Sequence, residues 1–204
     1  MQDAFAGAWA REPHLSDSTL GSLYELNHRF LDLCAAPTDR WPTEGRIRVP
    51  EDVPGQVAPL SAAQRAAAAH CPYALFDLEF DDDEHWRTRL GSAAKWRIAD
   101  AAAGEAGDFV RLALFFAWHL ASRADSAARL LLGMHEQTAV AFRSVTISCL
   151  PALAASEACN LTARWCDSSG YWSALVRAAA HADAERLRRV QLFGLQLAAA
   201  QRLP

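Results

Sequence analysis

D-F-V-R-L-A-L-F-F-A-W-H-L-A-S-R-A-D-S-A-A-R-L-L-L-G-M (Asp108–Met134) is the stretch that decides the fold. H-E-Q-T-A-V-A-F-R-S-V-T-I-S-C-L-P-A-L-A-A (His135–Ala155) follows it, and L-T-A-R-W-C-D-S-S-G-Y-W-S-A-L (Leu161–Leu175) closes it. Phe109, Leu112, Ala113, Phe116, Ala117 and Leu120 share one helical face. Val110, Leu114, Phe115 and Trp118 crowd the others, and a helix apolar nearly all round belongs in a core or an interface. Asp108 is the expected cap of this helix, with His119 as a satisfied core histidine. Asp125 and Ser126 start a second helix, for which Gly133 suits the C-terminal cap. A third starts near Glu136, and a fourth runs about Pro151–Ser156. Four helices in succession predict an all-α fold.

Downstream, helices are expected over Tyr171–His181 and Asp183–Arg202. Arg186, Arg188 and Arg189 make a small basic cluster near the start of the last one. Beyond Val190 it is apolar on most sides (Leu192, Phe193, Leu195, Leu197), so its C-terminal part is expected in the core.

Upstream, Met1–Ser18 carries Phe5, Trp9 and Pro13, and reads as a short helix or an arm on the body. Ser16, Asp17 and Ser18 are N-cap candidates for a helix that puts Leu23, Leu26, Phe30 and Leu33 on one face and ends before Pro37. From Ala35 to Pro59, five prolines and two glycines make a long irregular connection, in which R-I-R-V (Arg46–Val49) reads as a brief strand. Loops of this length are candidate contact surfaces. Ser61 caps an alanine-rich helix closed by Pro72. Y-A-L-F-D-L-E-F (Tyr73–Phe80) reads either as a second buried helix or as an extended link. The acids Asp81–Glu84 read as a helix N-terminus rather than a cation loop, which would space its ligands around a turn glycine. Lys95, Trp96 and Ile98 continue toward Ala103, and G-E-A-G (Gly104–Gly107) is the clearest break in the chain. The break divides the chain into a first helical half, 1–103, which includes the irregular loop 35–59, and a second, 104–204.

The two halves echo one another. Glu25–Ala35 sits over Asp108–Trp118, Leu60–Gln64 over Val145–Cys149, F-D-D before Trp86 over W-C-D before Tyr171, and Leu90 over Leu175. The expectation is a compact bundle of two related halves packed as an intramolecular pseudo-dimer.

At L-Y-E-L-N-H-R-F-L-D-L (Leu23–Leu33), L-F-F-A-W-H-L, A-A-R-L-L-L-G-M-H-E, the V-T-I helix and R-W-C-D, the chain resembles the D subunit of the flagellar master transcriptional activator (FlhD). That family shows a comparable Leu-rich helix, Leu-Gly turn, Thr-capped helix and Arg-Phe-Asp close. Its members are about half this length. They work as intertwined homodimers that join a zinc-containing C subunit to contact promoter DNA. The resemblance implies a tandem fusion of two such units in one chain, from which the Pro-rich loop of the first half departs. Residue types at the matching positions are Leu, Ala and Gly, which carry packing rather than chemistry.

Composition bounds the function. The chain has 204 residues, a net charge of −4 and 51% hydrophobic residues, so a large core is available and no general attraction to nucleic acid or anionic membrane exists. Lys95 is the one lysine, a bias read as genomic composition. Five cysteines without a C-x-x-C pair, and no signal-peptide pattern, predict a reducing cytoplasm. No G-x-S-x-G, phosphate loop, H-E-x-x-H or paired Cys/His spacing is present. His70 beside Cys71 is the one tempting pair, and adjacent residues diverge on a helix. No catalytic residue, metal or cofactor is therefore expected. The reading is a non-enzymatic cytoplasmic regulatory protein that acts through protein partners and reaches DNA only through one. The alternative is a structural, adaptor or chaperone protein of a bacterial assembly. Candidate contact residues are Arg186, Arg188, Arg189, Arg46, Arg48 and Trp41.

Overall fold

The helical periodicity resolves into ten α-helices and one two-stranded ribbon in a computed structural model, which describes residues 15–36, 47–92, 104–123 and 125–201. The protein is all-α, as its sequence pattern predicts. Trp41, Arg46, Met1–His14 and Lys95–Ala103 lie outside the described residues. No single helix among the described residues is long and apolar enough to cross a membrane.

Helix α1 (Asp17–Ala35) starts where Ser16 Oγ accepts the Thr19 N–H. It ends at Ala36, which is extended, as a residue before proline must be. Helix α2 (Val53–Val57) forms inside the stretch read as irregular, with Pro54 in its first turn, where the missing N–H costs nothing. Helix α3 (Ala62–Ala69) carries a full capping box between Ser61 and Gln64.

The chain then runs extended, and Asn27 explains why. Its buried side chain donates to Ala69 O (3.1 Å) and Tyr73 O (2.9 Å) and accepts the Leu75 N–H (2.9 Å). Those backbone groups are thereby satisfied outside a helix. Strand β1 (Phe76–Asp77) follows, then α4 (Asp83–Ser92). Asp82 caps α4 by accepting from Glu84 N and His85 N.

Helix α5 (Glu105–Arg123) begins three residues before Asp108, the expected cap. Gly104 O instead accepts the Asp108 N–H, and the Asp108 carboxylate pairs with Arg111 at 2.9 Å. Leu112 and His119, both expected inside, are exposed. They share with Asp108 the outer stripe of the helix, while Phe115 between them is half-buried and packs against the core. Helices α6 (Asp125–Leu132), α7 (Glu136–Ser144) and α8 (Leu150–Glu157) follow, with Gly133 at φ +72° closing α6. A Cβ on Gly133 would collide with the Arg164 guanidinium. Strand β2 (Thr162–Ala163) leads to α9 (Ser169–Ala180) and α10 (Ala184–Ala200), which Asp183 caps.

The two halves are wound through each other. β1 and β2 pair antiparallel, Phe76 with Ala163 and Asp77 with Thr162, a register that maps onto itself when the strands exchange. In the first half α1 packs on α2 and α3, and in the second α5 packs on α7 and α8. Beyond the ribbon the partners cross. α4 packs on α7 of the second half, while α9 packs on α2 and α3 of the first. Each crossing repeats in detail. Trp86 Nε1 donates to Leu78 O (3.1 Å), and Trp172 Nε1 donates to Arg164 O (2.9 Å). Glu79 and Trp165 hold matching positive φ values, 56° and 54°. Side-chain bonds of different design tie the two crossing helices down: Ser173 of α9 donates to Asp52, whereas Asp83 of α4 accepts from the Thr138 amide and hydroxyl. Trp86 thus corresponds to Trp172, one residue beyond the Tyr171 that the sequence echo places there. The indole-to-carbonyl bond fixes this register, and side-chain type alone misses it.

Phe30, Phe76, Phe109 and Trp172 meet at the centre with ring centroids 5.0–6.3 Å apart. Phe80, Trp86 and Phe142 form a second cluster under α4 and α7.

Candidate partner-binding surface

Helix α10 is the element whose sequence reading and placement differ most. Its inward stripe is Leu187, Val190, Gly194 and Ala198, residues three or four apart. Gly194 lies so close to the body that a Cβ there would strike the Tyr73 ring and hydroxyl. Gln191 Nε2 donates to His70 O at 2.9 Å, and Arg164 Nη2 donates to Gln201 Oε1 at 3.2 Å. These contacts fix the rotation of the helix. Leu192 (61% exposed) and Phe193 (44% exposed) consequently face outward, against the expectation that the part beyond Val190 is core, while Leu195 and Leu197 are half-buried against that core. Where the approach is closest the inward residues are small, Gly194 and Ala198, and Leu192 and Phe193 are turned away from the body. Phe193 touches only the edge of the body, its ring 6.5 Å from that of Tyr171.

Arg186, Arg188 and Arg189 are all exposed at the other end of α10. Arg189 pairs with Glu185 across one turn at 3.2 Å, an open pair that adds little stability. Arg186 and Arg188 have no carboxylate partner among the described residues. Arg48 lies elsewhere. Its backbone bridges Thr162 in parallel fashion, a single bridge rather than the brief strand expected at R-I-R-V, and its guanidinium points to Cys166 Sγ at 3.5 Å. Arg48 shares no element with the α10 arginines, so the described candidate residues do not lie together on one element.

Four buried polar side chains among the described residues escaped the sequence reading, and Thr138, already placed against Asp83, is one of them. Asn27 has already been placed. Arg164, 1% exposed, donates to Leu131 O at 3.2 Å and stacks 4.8 Å from the Trp165 ring. Burial raises the Asp77 carboxyl above its ordinary range, and the Arg164 charge opposes that rise. Glu157 is fully buried at the end of α8 and accepts from His85 Nε2 (2.9 Å), Arg89 Nε (3.1 Å) and Asn160 Nδ2 (2.8 Å). His85 and Arg89 belong to α4, so this carboxylate latches the crossing helix to the second half. The available signal was the type of residue at the position. Asn27 interrupts an apolar stripe, and Glu157 ends a run of small apolar residues.

His70 and Cys71 diverge, as adjacent residues should. His70 is exposed and stacks on Tyr24 with centroids 3.8 Å apart, while the Cys71 thiol is buried and donates to Ala68 O. Burial pushes that thiol up to about 12, which keeps it protonated at neutral pH and no nucleophile. Among the described residues no group of three metal-ligating side chains converges. Comparison with family models, with curated proteins and with solved structures finds no match to this chain.

Proposed function

We propose that this chain is a non-enzymatic regulatory protein of the cytoplasm, resembling the D subunit of the flagellar transcriptional activator. It acts through protein–protein contacts and reaches DNA only through a partner. One observation carries the reading: two halves of like design are interwound through β1 and β2, with α4 and α9 each lodged against the opposite half. A tandem fusion of an intertwined dimer has that arrangement, and the motifs at Leu23–Leu33 and Asp108–Asp167 resemble that family. The net charge of −4 favours a protein as the direct partner over nucleic acid.

The test is affinity capture of the tagged chain from its host lysate, with and without nuclease, read by mass spectrometry. A transcription-factor subunit or polymerase among the captured proteins is the expected result. Its loss on nuclease treatment places DNA in the complex. Capture of secretion, envelope or other assembly components alone sinks the regulatory reading and leaves the adaptor.

A further inference from the structure

The outer face of α10 has a charge and polarity pattern that helix stability does not explain. Cations near a helix N-terminus oppose the macrodipole, yet Arg186, Arg188 and Arg189 fall within the first two turns. The helix holds these three arginines against one glutamate, in a chain whose net charge is −4. One turn beyond Arg188 stands Leu192, the most exposed large apolar side chain among the described residues, and one turn beyond Arg189 stands Phe193. The two side chains are held outward by the Gly194 contact with Tyr73 rather than by their own packing.

We propose that this face of α10 is a docking surface for an acidic amphipathic helix of a protein partner. Its apolar residues cover Leu192 and Phe193, and carboxylates on its two flanks meet Arg188 on the Leu192 side and Arg186 on the Phe193 side. Charge complementarity selects the partner's sign, since three arginines stand against one glutamate on this helix and, among the described residues, Arg186 and Arg188 have no carboxylate partner. The apolar pair beside them selects protein over nucleic acid, because a phosphate backbone offers Leu192 and Phe193 nothing to bury against. Helix-on-helix docking reads anchors at i, i+3, i+4 and i+7, the spacing such a partner would present. The proposal rests on the reading that the chain works through protein contacts, and it names the surface and the chemistry of that contact.

The probe is a labelled synthetic helix of about twenty residues, with leucines at i, i+3, i+4 and i+7 and glutamates on the flanks. Its lysine counterpart and a labelled duplex DNA are the comparisons. Fluorescence anisotropy with the full chain should show the glutamate peptide bound at least about tenfold more tightly than the lysine peptide. Leu192→Asp and the double variant Arg186→Glu/Arg188→Glu should each weaken it by about tenfold, with the thermal melt unchanged because all three side chains are exposed. Equal binding by wild type and both variants overturns the proposal, as does equal binding of the two peptides. Displacement of the glutamate peptide by DNA overturns it in favour of a phosphate surface. A dimer in sedimentation that Leu192→Asp splits overturns it in favour of a second copy. If the variants lose the peptide yet still capture the same proteins from lysate, the α10 surface stands and the regulatory contact lies elsewhere. If wild type ignores the peptide but captures transcription components, the surface falls and the regulatory reading survives.

Discussion

Asn27 shows how much one side chain can decide. It sits on the core stripe of α1 between Leu26 and Phe30, where an apolar residue would pack. Instead its amide satisfies the carbonyls of Ala69 and Tyr73 and the N–H of Leu75, holding that stretch out of helix and aimed at β1. Asn27→Ala strands several buried backbone groups at once, and each orphan costs about 1–3 kcal/mol. The expected loss is about 3 kcal/mol in urea unfolding, large against the ordinary stability of a domain. Asn27→Asp should be no better, since a carboxylate cannot donate to the two carbonyls. A loss below about 0.5 kcal/mol for Asn27→Ala would mean that the 69–75 segment is held by its apolar neighbours alone.

At the scale of elements, what was legible follows from local chemistry. Ser61 and Gln64 three residues apart announce a capping box, Gly133 announces a positive φ, and Pro37 announces the end of α1. What was illegible depends on distant contacts. Tyr73–Phe80 has an apolar pattern that fits a buried helix or an extended link equally well, and the partner strand 86 residues away decides it. In α10 the apolar content is right for a core helix, but its phase is set by Gly194 against Tyr73. Residue type on α10 does not reveal which stripe faces in. Of the candidate residues, the α10 arginines were visible as a cluster; the apolar pair that makes them a surface was mistaken for core. Gly194→Ala tests the phase argument. The added methyl has to displace the Tyr73 ring or lift α10, an overpacking cost of about 1–3 kcal/mol. Tyr73→Leu alone loses the Tyr171 hydroxyl bond and ring packing, yet combined with Gly194→Ala it should recover part of the alanine penalty. Strictly additive losses in that cycle would show that the two positions do not press on each other.

The whole molecule is organised by exchange rather than by adjacency. α4 leaves the first half to pack on α7 and to meet Glu157 of α8, and α9 leaves the second half to pack on α2 and α3. Neither half keeps its own ribbon partner, since β1 and β2 supply each other's one ladder. A 103-residue half that exposes the Trp86 face of α4 and the α2–α3 surface has lost much of its core to solvent. The covalent link between the halves is therefore dispensable once the fold has formed, while the halves themselves are not. A protease site inserted between Ser92 and Gly104 and cut in the folded protein should leave both pieces eluting together, at the size of the uncut chain. The melt should stay cooperative and become dependent on concentration, as it does when association and folding are one event. Residues 1–103 expressed alone should aggregate or show molten-globule signatures, and co-expression with 104–204 should rescue them. Separation of the cut pieces without denaturant, each keeping its own sharp melt, would show two self-sufficient domains and would remove the interwound pairing on which the regulatory reading rests.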